Sequence, residues 1–234
     1  NRMKAIILAA GKATRLLPLT KDTPQSLLKV GDKTILERQI HALNQCNIKN
    51  IVVVTGYLSD KIEEFSKARN IKTLFNPFYS VSGMLMTLWV AKEELKDGFI
   101  LLYSDLLFEK SIIKNLLKSK SDICLAIKKD GVREEAEKVL EENGVITKIS
   151  KAELKNDGDA EFIGIAKFST NGAKLLINEI NEIARTQLNA SLIDVIQALI
   201  DKGHKINSCN INDAKWVDID FEKDLRLANE LFAK

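Results

Sequence analysis

The chain reads as an α/β protein with a doubly wound, mostly parallel, Rossmann-like sheet. Strand insertions in its second half wall the ligand side. Two observations predict this. Short, near-continuous apolar runs (AIIL at 5–8, NIVVVT at 50–55, GFILLY at 98–103) have the character of strands buried on both faces. Between them lie stretches whose apolar residues recur at helical spacing, and such alternation builds a parallel sheet covered by helices on both sides.

Taken in order, the first strand at 5–8 breaks into a small-residue loop. A helix over 34–47 follows, its apolar face formed by Ile35, Leu36, Ile40 and Leu43. The strand at 50–55 is closed by Gly56, and a helix over 59–70 takes Ser59 as its N-cap. Next come a strand at 71–75, a helix over 84–95, and the strand at 98–103, which ends in Ser104-Asp105. A helix over 111–119 leads to a strand at 122–128. Beyond this, 145–149 and 161–168 read as paired strands around a polar loop, 152–160. Helices over 173–184 and 192–202, a strand at 204–210, and a segment 215–220 entering a last helix at 222–231 complete the chain. No linker, repeat or shift in composition divides it, so 3–234 is expected to be one domain, with Asn1 and Arg2 before Met3 a remnant of expression.

The 234 residues are enough for a sizeable core, and 45% hydrophobic with 29% charged residues is ordinary for a soluble protein. A net charge of +3, from 35 basic and 32 acidic residues spread throughout, makes no case for a nucleic-acid or membrane partner. No apolar run reaches the roughly 20 residues that span a bilayer, and no signal peptide is evident. Cys46, Cys124 and Cys209 form neither a metal pattern nor a disulfide framework and read as reduced thiols of a cytoplasmic protein.

Two features carry chemistry on physical grounds alone. A loop of small residues (Ala9, Ala10, Gly11, Ala13) leaving a buried strand lets backbone N–H groups approach a phosphate chain, and Arg15 adds a bidentate cation. Asp105, at the carboxyl end of a buried strand, either faces the ligand crevice, where its oxygens suit Mg²⁺, or caps the next element.

The opening stretch KAIILAAGKATRLLPLTKDTPQSLLKV also resembles a family signature, LAAGxGxRLxPLTxxxPKxL, of the sugar-nucleotide-type nucleotidylyltransferases. It matches at Leu8, Ala9, Ala10, Gly11, Arg15, Leu16, Pro18, Leu19, Thr20, Pro24 and Leu27. Ala13 stands where the second glycine is expected, a mild change that keeps the loop small, and Gln25 stands where a lysine is expected. The end of the chain, KWVDIDFEKDLRLAN, resembles the family's closing W-x-[DE]-[IV]-D-x-x-x-D-L-x-x-A pattern through Trp216, Asp218, Ile219, Asp220, Asp224, Leu225 and Ala228. GYLSDKIEEF followed by NPFYSVSGMLMTL is similar to the phosphocholine and phosphonate cytidylyltransferases, although Gly83-Met84 replaces their usual Asn-Asn.

The resemblance implies a reaction in which an acceptor phosphate or phosphonate oxygen attacks the α-phosphorus of an NTP and pyrophosphate leaves. It assigns the metal, Mg²⁺, to Asp105 and Asp220, with Asp218 supporting or sharing the ion and counted on the acceptor side. Asp224, in the first turn of the last helix, is expected to be structural. Catalytic roles fall to Arg15, Gln25 and Lys151. The nucleotide would be held by Leu8, Ala9, Ala10, Gly11, Lys12, Ala13, Thr14, Thr55, Gly56, Tyr57, Gly83 and Ser104. The acceptor would meet Asn76, Tyr79, Ser82, Thr87, Lys151, Glu161 and Gly164, and Tyr57, Phe78, Tyr79, Trp89 and Tyr103 are the aromatic groups available to a cationic acceptor, with Trp89 more in keeping with the core. The expected partners are an NTP, with CTP favoured, and a small phosphorylated acceptor; a homodimer is left open. A sugar-1-phosphate acceptor with UTP, dTTP or GTP is the alternative enzyme.

Gln25 keeps a third reading in view. Losing a lysine's charge at an α-phosphate costs about 10²–10³ in rate in sites of this type. The glutamine is then a natural change rescued by another cation (Lys12, Lys21 or Lys29), an engineered replacement that slows turnover, or the mark of a nucleotide-binding regulatory domain that hardly turns over.

Overall fold

The computed structural model describes residues 3–152, 154 and 158–234. The expectation for Asn1 and Arg2, and part of the polar loop at 152–160, lie outside the described residues.

The first strand, β1 (Lys4–Ala9), puts Ile6 and Leu8 on one face and Ala5, Ile7 and Ala9 on the other, all buried. A loop with two short 3-10 turns leads to the small hairpin β2 (Lys29–Val30) and β3 (Lys33–Thr34) and then to α1 (Ile35–Gln45). Thr34 closes a capping box with Glu37, which fixes the start of α1. After β4 (Ile51–Thr55), α2 (Ser59–Lys67) begins behind Leu58 in a left-handed conformation (φ 49°), so Ser59 is the first helical residue and not the cap. β5 (Lys72–Phe75) is followed by α3 (Met84–Val90) and α4 (Lys92–Leu95). The single helix expected over 84–95 is interrupted at buried Ala91 (φ −90°, ψ 3°), although alanine favours helix; packing overrides propensity here.

β6 (Phe99–Tyr103) is followed by β7 (Leu106–Phe108), a strand not foreseen, and by α5 (Lys110–Lys118) and β8 (Ile123–Lys128). The second half departs most from expectation. β9 (Glu137–Glu142) and β10 (Val145–Ser150) form a hairpin across Asn143-Gly144, both at positive φ (51° and 81°). An Asn-Gly pair is the residue choice that such a tight turn demands. β10 therefore pairs with β9 and not with β11 (Ala160–Phe168), which instead lies antiparallel between β6 and β8. Helices α6 (Thr170–Ile183) and α7 (Leu192–Asp201), strands β12 (Asn207–Asn210) and β13 (Trp216–Asp218), and α8 (Glu222–Phe232) complete the chain.

The main sheet runs β5-β4-β1-β6-β11-β8-β12-β10-β9. Its first four strands are parallel, and the rest is mixed. One face is covered by α3, α4, α6 and α7, the other by α1, α2 and α5, giving the three layers of a Rossmann-like fold. Phe99 and Phe168 stack across β6 and β11 at 4.8 Å, inside the first of these cores. A third, smaller cluster packs α8 against Leu107 and Val217, residues of the β7–β13 pair. The three cysteines are free, and no helix among the described residues is long and apolar enough to cross a membrane.

Candidate active site

In the parallel half, Leu8 lies opposite Tyr103 and Ala9 opposite Thr55. The loops carrying Gly11, Gly56 and Ser104-Asp105 therefore leave the sheet at one edge, beside β1, where strand order switches direction and open sheets bind ligands. The antiparallel β7–β13 pair sets Asp218 opposite Leu106, and Ile219 N donates to Asp105 O at 2.8 Å. Residues far apart in sequence thus meet, with one carboxylate oxygen each of Asp105, Asp218 and Asp220 lying within 4.8 Å of one another. Oδ1 of Asp105 and Oδ1 of Asp218 are buried and have no hydrogen-bond partner among the described residues. Burial, and then the charges of Asp218 and Asp220, push the Asp105 carboxyl well above the usual carboxylate range. Asp220 is also raised, by burial and Asp218, against the opposing pull of Arg15 and Arg133. Hard, convergent and partly orphaned oxygens of this kind fit a cation such as Mg²⁺. Asp224 accepts from the backbone N–H groups of Phe221 (2.8 Å) and Asp220 (3.2 Å) and so fixes the start of α8.

Two arginines hold the cluster. Arg15 pairs with Asp220 (2.8 Å) and Glu135 (2.9 Å) and lies over the Phe221 ring. Arg133 bonds Asp218 (3.1 Å) and the buried Glu161 (3.0 Å), and its own backbone N–H also donates to Glu161. Lys12, Lys21 and Lys29 are exposed and ion-paired to no described residue. Gln25 Nε2 donates to Ile219 O at 2.5 Å, which places this carboxamide on the main chain between Asp218 and Asp220.

The loop after β1 is shaped by Thr20, whose hydroxyl donates to Ala13 O at 2.9 Å. Ala13 itself is left-handed (φ 49°), so exchanging the expected glycine for alanine costs about 1–2 kcal/mol of backbone strain and is less mild than the sequence suggests. A Cβ on Gly11 would meet nothing within 4 Å, and Lys12 and Thr14 are exposed beside it. Leu8, Ala9 and Ala10 are buried under the loop. Tyr57 spans to the same loop, its hydroxyl 2.8 and 2.9 Å from the carbonyls of Thr20 and Lys21. Gly56 is needed for packing, since a Cβ there would lie 2.5 Å from Tyr79 Cβ and 2.7 Å from Ala10 O.

Several residues expected around the ligands face the protein instead. Asn76 and Thr87 are buried and hydrogen-bonded to each other at 3.2 Å, and Thr55 is fully buried. Gly83 packs against the carbonyls of Asn189 and Ala190, and Ser82 donates to Phe78 O. Phe78 is exposed, whereas Trp89 packs on the core with Lys92 over its face. On the other side of the cluster, Gly164 (φ 87°) lets Tyr103 approach so closely that a Cβ would sit 2.6 Å from its ring. The Tyr103 hydroxyl donates to Glu137 (3.1 Å), whose carboxyl burial pushes up to about 7 while the Tyr103 bond and the charge of exposed Lys151 pull it down.

Sequence reasoning missed Arg133, Glu135 and Glu137. The available signal was that 129–136 leaves the carboxyl end of β8, a strand parallel to β6 through the intervening β11, and so reaches the ligand edge. The 129–136 segment and the stretch from β13 into α8 line a cavity of about 360 Å³, with Arg133, Glu135, Asp218, Asp220 and Phe221 in its walls.

The profile of the MobA-like NTP transferase domain matches residues 5–201. CTP:phosphoglutamine cytidylyltransferase of Campylobacter jejuni is 30% identical, over 97% of this chain and 100% of its own length. Choline-phosphate cytidylyltransferase of Streptococcus pneumoniae is 34% identical over 50% of this chain and 51% of its own. Among solved structures, the CTP:phosphocholine cytidylyltransferase of Streptococcus pneumoniae superposes with a TM-score of 0.81 at 22% identity, over 98% of this chain and 99% of that one. The inositol-1-phosphate CTP transferase of T. maritima gives 0.81 at 22% identity, over 100% and 99%.

Proposed function

This chain belongs to the MobA-like NTP transferase family, and from that premise we propose that it is a Mg²⁺-dependent cytidylyltransferase. It would join CMP from CTP to a small phosphorylated or phosphonate acceptor and release pyrophosphate. The observation that carries the reading is the Asp105–Asp218–Asp220 cluster, with its orphaned oxygens, at the strand edge that also bears the Gly11 loop and Arg15. CTP is favoured because the names of the relatives above specify it.

An acceptor oxygen attacks the α-phosphorus in line; the new P–O bond forms as the bond to the bridging oxygen breaks, and pyrophosphate carries away the electron pair. The chain contributes positioning and charge. The open space beside Gly11 lets main-chain N–H groups approach the triphosphate. Arg15, exposed and paired with Asp220 and Glu135, is free to exchange those partners for the β,γ-phosphates. Asp105, Asp218 and Asp220 would hold Mg²⁺, which supplies neutralisation of phosphate charge. Lys151, with Glu161 and Arg133 behind Asp218, orients the acceptor. Gln25, uncharged and bonded to Ile219 O, donates a hydrogen bond where a lysine would supply charge.

The test is pyrophosphate release with each NTP against phosphocholine, aminoethylphosphonate, other phospho-metabolites and sugar-1-phosphates, for this chain and for Gln25→Lys. The lysine form should be faster by about 10²–10³, with CTP preferred. Equal rates would assign the missing charge to another cation, and silence from both despite tight nucleotide binding would overturn the enzymatic reading.

A further inference from the structure

A second cavity, of about 160 Å³, lies between α1 and β7 and shares no lining residue with the acid cluster. We propose that it binds a small phosphorylated compound that also carries a hydroxyl donor. Its walls include Lys33, Arg38, His41 and Lys110, and no acidic side chain lines it among the described residues. The charge selects an anion. Arg38 is already bonded to Val30 O and Phe232 O and ion-paired with Asp32 at 3.7 Å, so the uncompensated charge comes from Lys33 and Lys110, which are exposed and ion-paired to no described residue.

The second half of the specificity comes from Gln39, which lines the cavity and is 1% exposed. Its Nε2 donates to Tyr103 O (2.9 Å) and Leu106 O (2.8 Å), while Oε1 is buried with no partner among the described residues. A buried acceptor without a donor is unfavourable, and a ligand hydroxyl at Oε1 would complete it. Phosphate oxygens toward the lysines and a hydroxyl toward Gln39 describe a phosphorylated polyol. The carboxamide also bridges the carbonyls flanking Ser104-Asp105, so a ligand on Oε1 would steady the segment that carries Asp105. The site neither uses nor requires the reading of the acid cluster given above.

The experiment is isothermal titration of the full chain, without nucleotide, using glycerol 3-phosphate and inorganic phosphate as probes. Saturable binding of glycerol 3-phosphate is expected, tighter than that of inorganic phosphate. The surface double variant Lys33→Ala/Lys110→Ala should weaken it about tenfold or more, as expected for lost charge-assisted contacts, and Arg15→Ala should leave it unchanged. Backbone hydrogen exchange across 103–108 should slow when the probe is bound. Binding lost in Arg15→Ala but retained in the double variant would assign the probe to the acid-cluster site and overturn the proposal. Absence of saturable heat at millimolar probe, or equal affinity for the two probes, would do the same.

Discussion

Replacing Asp105 with asparagine removes one charge from a cluster in which three carboxylate oxygens lie within 4.8 Å. At an effective dielectric of about 20, two unit charges at that separation repel by about 3.5 kcal/mol. The full sum over both neighbours is not realised, because Arg15 and Arg133 offset the neighbouring charges. The expected gain for Asp105→Asn is therefore about 1–3 kcal/mol in metal-free protein, or roughly 2–10 °C in Tm for a domain of this size. Calorimetry in EDTA at neutral pH reads it. The sign with pH follows from the direction of the shift. The folded protein binds a proton at Asp105 more tightly than the unfolded chain, whose value is about 3.9. Wild-type stability at this group therefore falls as pH rises above about 4, and the variant's advantage grows over the same interval. Mg²⁺ should raise the wild-type Tm by mass action, stabilising the fold by about 2.7 kcal/mol at a hundredfold excess over Kd, and should have little effect on the variant. A variant that melts below wild type in EDTA would refute the repulsion, and one that responds equally to Mg²⁺ would refute the cation site.

Glu137→Gln should flatten the pH dependence of Tm between pH 5 and 8. With its carboxyl pushed up to about 7, the wild type loses up to about 3 kcal/mol as pH rises through that window. Gly164→Ala forces a Cβ to 2.6 Å from the Tyr103 ring at φ 87° and should cost about 2–4 kcal/mol, read as a lower urea midpoint with unchanged m. Ala13→Gly relieves a left-handed alanine and should gain up to about 1 kcal/mol by the same measurement, since the extra freedom of glycine in the unfolded chain returns part of the strain energy.

The parallel half of the sheet was legible because its strands, buried on both faces, are written as unbroken apolar runs, and the loop after β1 could be placed from its small residues alone. Thr20, matched only as a motif letter, shapes the first loop, whereas Asp224, expected to be structural in the first turn of the last helix, does fix the start of α8. The β9–β10 hairpin was equally readable from Asn143-Gly144, yet it was obscured by the charged residues of EKVLEE, which do not alternate cleanly. Asn76 and Thr87 show the limit of motif reading, since the same residues that could line a pocket satisfy each other in the core.

The fold class and the position of the small-residue loop after β1 could be read locally, because each depends on neighbours a few residues away. The packing of distant segments set the rest: that Asp218, offered by its motif as a partner or a sharer of the ion, converges with Asp105 and Asp220, that Arg15 and Arg133 hold them, that Ala13 is left-handed, and that Gln39 bonds the carbonyls flanking Ser104-Asp105 with an unpaired oxygen. Most of these follow from one strand pairing, β7 with β13, or from where the loops after β1 and β8 come to rest. Local pattern records which residues can be strand or helix; burial, repulsion and hydrogen-bond satisfaction depend on which distant segments are packed together, and that is set by the whole chain at once.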